Sequence, residues 1–267
     1  MSVGAGDYQR ALNDVGLSDI EVIQHATTGS TNDDARALLA DKGREHACIL
    51  VVADEQTKGR GRGGNLWFSP RGSISMTLSV PAVGARMLGV LPLGVGASVV
   101  ASLRELGACA DVKWPNDILV NGLKVAGILC EATLLGGTAR VYIGIGINVE
   151  TEAEDQGLRA TATSLGAHGI RVDRPALVGQ ITARVLELVR AQADNAAIVA
   201  AWKAVSTPWW GEQVSLRDGG VERCVTLLDV NPDGQLVVRD EAGVVRSLVA
   251  GEVQQLRRVN ARPPLPS

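Results

Sequence analysis

The sequence predicts a mixed α/β fold in one large domain, followed by a small β-barrel. Continuous β-branched runs alternate with helix-patterned stretches as far as Val205, which is the pattern of a sheet covered by helices. An Asn121-Gly122 dipeptide between two apolar runs marks a hairpin inside that region. After Trp209-Trp210 the composition changes to short apolar runs separated by Asp-Gly-Gly, Asn-Pro-Asp-Gly and Glu-Ala-Gly turns. At 267 residues the chain has room for both parts and a sizeable core.

In chain order, Ser30-Thr-Asn-Asp followed by ARALLADK predicts a capped helix that stops at Gly43. CILVVADEQ is continuously β-branched over Ile49 to Val52 and predicts a strand covered on both faces, and SISMTLSV predicts a second. The uncharged run from Met87 to Leu103 contains Pro92 and three glycines; it is too short and broken for a membrane span and predicts a buried helix. DILVNGLKVAGILCEA reads as a hairpin with a type I′ turn at Asn121-Gly122, placing Lys124 just beyond the turn. RVYIGIGINV predicts another buried strand, and helices are expected over Pro175 to Gln192 and Ala196 to Val205. The expected division is 1–210, 211–260 as the barrel, and a disordered tail at 261–267.

Composition narrows the function. The chain is 46% hydrophobic and 21% charged, with a formal charge of −3 and a pI near 5.7. No global basic field therefore attracts nucleic acid or an anionic membrane, and any anion site is local. Cys48, Cys109, Cys130 and Cys224 lie far apart with no Cys-x-x-Cys pair, which argues against a zinc site or a disulfide framework and fits the cytoplasm. MSVGAGDYQR has neither the basic start nor the apolar stretch of a signal peptide.

Chemistry concentrates in Gln56-Thr-Lys-Gly-Arg-Gly-Arg-Gly-Gly-Asn-Leu-Trp67. Lys58, Arg60 and Arg62 stand among four glycines, with no acidic residue before Glu105. Glycine lets backbone N–H groups approach an oxyanion, and arginine supplies a planar fork of donors for carboxylate or phosphate. Ordering such a segment costs about 1–2 kcal/mol per residue, so the loop is expected to be mobile when empty and to close over ligand. Alone it reads equally as a solvated loop or an RGG-like nucleic-acid contact, because it lacks the spacing of a Walker A or dinucleotide motif. Lys113-Trp-Pro-Asn-Asp117 sets a cation, an amide and a carboxylate around a proline-stiffened turn, and is by itself either an active-site rim or a surface turn.

Taken together, Gly-Ser-Thr-Asn at 29–32, GRGRGG at 59–64 with Trp67, KWPND at 113–117, GLKVAGIL at 122–129 and GIGIN at 144–148 resemble the biotin protein ligase family in order and spacing. The resemblance covers about residues 25–260. It implies a class II synthetase-like catalytic domain with a mixed sheet and an SH3-like C-terminal barrel. It further implies an ATP-consuming enzyme that makes biotinyl-5′-AMP and passes biotin to a lysine of a biotin carboxyl carrier protein domain.

By that resemblance Ser30, Thr31, Asn32 and Gln56 line the biotin pocket, with Gly59, Gly61 and Gly127 closing against the ring. Arg60, Arg62 and Lys124 carry adenylation and reach biotin too. Trp67, Lys113, Asn116 and Asn148 hold the adenylate, and Asp117 contacts Mg²⁺. Family members commonly have another arginine where this chain has Asn65, which implies weaker adenylate retention. The residues before Ser30 are too few for the winged helix-turn-helix of the repressor members, so an enzyme that binds no operator DNA is expected. A homodimer is left open. The rivals are a lipoate ligase or octanoyltransferase of the same fold, and a nucleic-acid-binding module. The chain's five Trp, two Tyr and one Phe give the latter no visible stacking platform.

Overall fold

A computed structural model describes residues 3–40, 44, 46–135, 137–150, 161–218, 220–251 and 253–259. The chain begins with α1 (Ala5–Asp14), β1 (Glu21–His25), α2 (Thr31–Leu38), β2 (Ile49–Ala53), β3 (Ile74–Gly84) and α3 (Leu91–Glu105). It continues through β4 (Ala110–Lys113), β5 (Asp117–Val120), β6 (Leu123–Leu135), β7 (Thr138–Ile147), α4 (Arg174–Arg190) and α5 (Asn195–Lys203). The C-terminal part contributes β8 (Gln213–Asp218), β9 (Val221–Val230), β10 (Leu236–Arg239), β11 (Val245–Leu248) and β12 (Val253–Arg258).

Seven strands form a mixed sheet in the order β1-β2-β3-β7-β6-β5-β4. Only β1 and β2 run parallel; the other neighbours are antiparallel. β2 is buried along its whole length, as its unbroken β-branched run predicts. One face of β2 meets the main core through Leu50 and Val52, and the other meets α2 through Ile49 and Val51 against Ala35 and Leu39. Asn121 (φ 51°) and Gly122 (φ 82°) both adopt the positive φ that a type I′ turn demands. That tight turn fixes the β5–β6 register and sets Lys124 opposite Leu119.

The second sheet is fully antiparallel, in the order β11-β10-β9-β8-β12. Its apolar side chains Val214, Leu216, Val225, Leu227 and Leu236 continue the main core. Trp114 Nε1 donates to Gly234 O at 3.1 Å, tying the KWPND turn to the β9–β10 turn. Segment 205–207 runs beside β4: Val112 N donates to Val205 O and Thr207 N donates to Val112 O, both at 2.9 Å. That pairing covers an edge strand otherwise open to other chains.

The helix beginning at Ser30 differs from expectation. The helix over residues 30–42 is shorter, ending at Leu38, and its expected stop at Gly43 lies outside the described residues. The Ser30 hydroxyl makes no cap bond; the first helical amide, Thr31 N, donates instead to Gln56 Oε1 at 2.9 Å. A partner from another segment meets the need that a local cap would. The expected tail at 261–267 also lies outside the described residues.

α1 packs on α4 through Gly179, where an added Cβ would lie 2.8 Å from Ala11 O. Helix propensity alone gives Gly179→Ala a gain of about 1 kcal/mol. The backbone contact cannot retreat without separating the helices, so a net loss of about 1–3 kcal/mol is expected in urea unfolding. A stability equal to or above that of the parent chain would contradict this packing.

Candidate functional site

A cavity of about 660 Å³ opens over the middle of the seven-stranded sheet, between the glycine-arginine loop and β12. Its floor is sheet stripped of side chains. Gly127 and Gly146 are cross-strand partners, and Gly144 lies two residues along β7. A Cβ on Gly146 would sit 2.3 Å from Trp67 Nε1, and one on Gly144 would sit 2.5 Å from Asn32 Oδ1. The glycines therefore make room for the Trp67 indole and the Asn32 amide. Lys124 Nζ lies 5.3 Å from the Trp67 ring centroid, within cation–π range.

At one end of the cavity the start of α2 is buried: Ser30, Thr31 and Asn32 are each under 5% exposed. Gln56 Oε1 accepts from Thr31 N, Asn32 Nδ2 donates to Glu131 Oε2 at 2.8 Å, and the Thr77 hydroxyl lies 2.6 Å from Asn32 Oδ1. At the other end, Asp117 stands between two ammonium groups, Lys124 Nζ at 2.5 Å and Lys113 Nζ at 2.9 Å. Burial pushes the Asp117 carboxyl up, but Lys124 and Lys113 outweigh it and hold the group below the usual carboxylate value. Asn116 braces this turn against β6: its Nδ2 donates to Ile128 O at 2.6 Å, and its backbone carbonyl accepts from Ile128 N at 3.1 Å. Asn148 Nδ2 donates to Thr163 O at 3.0 Å on the neighbouring wall.

The glycine-arginine loop closes on itself. Gly61 N donates to Asn65 O at 2.7 Å, Trp67 N donates to Gly59 O at 2.9 Å, and Asn65 Nδ2 donates to Arg62 O at 2.8 Å. Gly63 and Gly64 take φ of 66° and 77°, which side chains disfavour. The two arginines diverge. Arg60 forms a fork with both oxygens of Asp33 at 2.5 and 2.6 Å, and that pairing holds Asp33 below its usual value. Arg62 points to β12, where its Nη2 donates to Val253 O at 2.5 Å. Its Nη1 is buried without a partner. Burial pushes this guanidinium below its ordinary value, with Asp117 pulling the other way.

The structure thus brings Ser30, Thr31, Asn32, Gln56, Arg60, Gly61, Arg62, Trp67, Lys113, Asn116, Asp117, Lys124, Gly127 and Asn148 to one cavity. Gly59 is not in the lining: its position is set by the loop, since a Cβ there would meet Trp67 O at 2.3 Å. Each Asp117 oxygen meets an ammonium group, Lys124 on one and Lys113 on the other. No group of three His, Cys, Asp or Glu suited to a metal occurs among the described residues. Sequence reasoning passed over Asp33, Thr77, Glu131 and the β12 residues Val253, Leu256, Arg257 and Arg258 that line the cavity. For Thr77 a signal existed, since Ser75, Thr77 and Ser79 place hydroxyls at period two along one face of β3, all buried.

The Lys113–Asp117–Lys124 triad has a pH signature. Because the folded carboxyl titrates below the unfolded value near 3.9, its contribution is complete above about pH 4 and is lost as pH falls through the folded value. Between about pH 5 and about pH 3 the parent chain should therefore lose more stability than Asp117→Asn in urea unfolding. Equal losses would show that the triad does not stabilise the fold.

Residues 27–148 match the model of the biotin/lipoate A/B protein ligase family. The chain is 32% identical over 266 residues to a biotin–[acetyl-CoA-carboxylase] ligase of Mycobacterium tuberculosis, covering 96% of this chain and 92% of that one. A ligase of the same description from Paracoccus denitrificans is 33% identical over 82% of this chain and 94% of its own. The match to the bifunctional ligase/repressor of Bacillus subtilis, 39% identical, spans 60% of this chain and about half, 51%, of that relative. Among solved structures, the biotin protein ligase of Aquifex aeolicus in complex with biotin and ATP superposes with a TM-score of 0.70 at 26% identity. That match covers 89% of this chain and 99% of the other. The Leishmania major biotin protein ligase in complex with biotinyl-5-AMP gives 0.60 at 27% identity, covering 86% and 98%. With the same order of motifs gathered around one cavity, and with the Mycobacterium and Paracoccus ligases matched over 92% and 94% of their length, the chain belongs to the biotin protein ligase family.

Proposed function

We propose that this chain activates biotin with ATP to biotinyl-5′-AMP, releasing pyrophosphate, and then transfers biotin to a lysine of a biotin carboxyl carrier protein domain. The observation that carries this reading is the convergence of a buried hydroxyl–amide end and a cationic end on one cavity. A cyclic urea needs an acceptor for each N–H and donors for its carbonyl, and each one left unpaired costs about 1–3 kcal/mol. Ser30, Thr31, Asn32 and Gln56 supply both kinds of group, and Gly127 lets the ring approach the sheet.

Adenylation brings a carboxylate to the α-phosphate of ATP. Two like unit charges at about 4 Å repel by roughly 4 kcal/mol at an effective dielectric near 20, so cations held in place lower the barrier by electrostatics and position. Arg62, Lys113 and Lys124 face the cavity against the single carboxylate of Asp117, a surplus of positive charge in a chain that is acidic overall. Arg60, paired with Asp33, contributes when ligand oxygens replace that partner. Trp67 and Asn148 hold the adenylate, with Asn116 and Asp117 fixing the two lysines. Asp117 would contact a magnesium ion bound with the ATP phosphates, which would supply further positive charge against the developing phosphate charge. The acceptor lysine then attacks the biotinyl carbonyl, and AMP leaves without an enzyme-bound acyl group. In this reading 1–210 forms the catalytic part, and 211–260 the SH3-like barrel that closes one side through Val253.

Lipoate ligation and octanoyl transfer are the competing chemistries. The latter needs a reactive thiol in the site, whereas none of Cys48, Cys109, Cys130 and Cys224 lines the cavity. Incubation with ATP and biotin should release pyrophosphate and yield a mass corresponding to biotinyl-5′-AMP, while lipoate should yield neither. Lys124→Met should lower kcat for pyrophosphate release by about 10²-fold or more. Release driven by lipoate and not by biotin would refute the assignment.

A further inference from the structure

Beneath the Thr31 end of the cavity lies a buried relay in which two hydroxyl protons serve three oxygen–oxygen contacts, and the two shorter contacts take them. Four contacts link it: Thr31 N to Gln56 Oε1 at 2.9 Å, Thr31 Oγ1 to Thr77 Oγ1 at 2.7 Å, Thr77 Oγ1 to Asn32 Oδ1 at 2.6 Å, and Asn32 Nδ2 to Glu131 Oε2 at 2.8 Å. Thr77 is fully buried, while Thr31 and Asn32 are 3% and 4% exposed, so water cannot repair a wrong orientation.

The direction is set from the far end. Glu131 lies beside the guanidinium groups of Arg36 (3.5 Å) and Arg60 (3.8 Å), and its carboxylate accepts only. The Asn32 amide must therefore turn its Nδ2 to Glu131 and its Oδ1 to Thr77, since the reverse would set two acceptors 2.8 Å apart. Asn32 Oδ1 cannot donate, so the Thr77 hydroxyl spends its single proton there. Thr31 Oγ1 then gives its own proton to the Thr77 oxygen at 2.7 Å, the nearer of its two acceptors. The longer 3.1 Å approach of Thr31 Oγ1 to Gln56 Oε1 is left without a proton, which Gln56 tolerates because Thr31 N–H already serves it.

We propose that Thr77 and Glu131 are positioning residues that fix this direction and so make Thr31 Oγ1 an acceptor toward the cavity, selecting ligands that present an N–H donor there. Neither residue lines the cavity; both act through Thr31 and Asn32. The relay gives a physical basis for preferring a ureido ring over a dithiolane or an alkyl chain of similar size. The inference rests on the reading of the cavity as a biotin site.

Titration of the full chain with biotin in the absence of ATP tests it, alongside titration with biotin methylated on its ureido nitrogens. The parent chain should bind biotin and bind the methylated ligand at least about tenfold more weakly. Thr77→Val keeps the volume but breaks the relay: the Kd for biotin should rise about tenfold and discrimination against the methylated ligand should shrink, with kcat at saturating biotin within about twofold. Thr77→Ser should restore both. Glu131→Gln, at a half-buried position, offers an amide that donates as well as accepts; it should raise Kd about threefold or more, and it reads the relay even where Thr77→Val fails to fold. Unchanged Kd in both variants, or a loss of kcat in place of affinity, overturns the relay. So does Thr77→Ser behaving like Thr77→Val. A parent chain that does not bind biotin overturns the site reading itself.

Discussion

The rest of the site depends on a stretch of sheet with no side chains. Gly127, Gly144 and Gly146 leave β6 and β7 bare on one face, and two groups from distant segments, the Trp67 indole and the Asn32 amide, occupy the space beside the Lys124 stem of β6 itself. Side chains at these positions would lift the indole and the amide off the sheet. Ile143, Ile145 and Ile147 alternate with the glycines on the opposite face and bind the sheet to its helices. One strand thus supplies core packing and a cavity floor at once.

Upon that floor, polarity is divided. Neutral donors and acceptors gather at the start of α2, and cations gather around Asp117. A single carboxylate between two ammonium groups keeps the lysines apart and placed, while leaving positive charge for a ligand. The second sheet takes part through backbone as well as side chains: Val253 O anchors Arg62, and the turn at Gly234 anchors Trp114. The loop that carries the arginines is therefore held from both sheets.

Much of this was legible in the sequence, for identifiable reasons. β2 could be read because its β-branched run is unbroken, and the β5–β6 hairpin because Asn-Gly admits one common turn. The start of α2, Gln56, KWPND, Lys124 and Asn148 could be assigned to one site because their spacing matches a family pattern. α1 was not foreseen: AGDYQRALND buries only Tyr8, Ala11 and Leu12, a stripe too narrow to stand out. β1 was missed because its EVIQH is half polar and pairs along one side only. Asp33, Glu131 and the Val253 carbonyl escaped because their roles arise from tertiary approach across 27 to 191 residues. KWPND and Lys124 were legible as motifs, but that an ammonium group meets each Asp117 oxygen follows only from the tertiary arrangement.

The bare floor is tested most directly at Gly146. Gly146→Ala adds one methyl group where Trp67 Nε1 stands 2.3 Å away. Calorimetric titration with biotin should show affinity weakened by about tenfold to 10²-fold, since displacement by about 1 Å costs that much at a preorganised site. The urea midpoint should stay close to that of the parent chain. Undiminished biotin affinity in a folded variant would contradict the account.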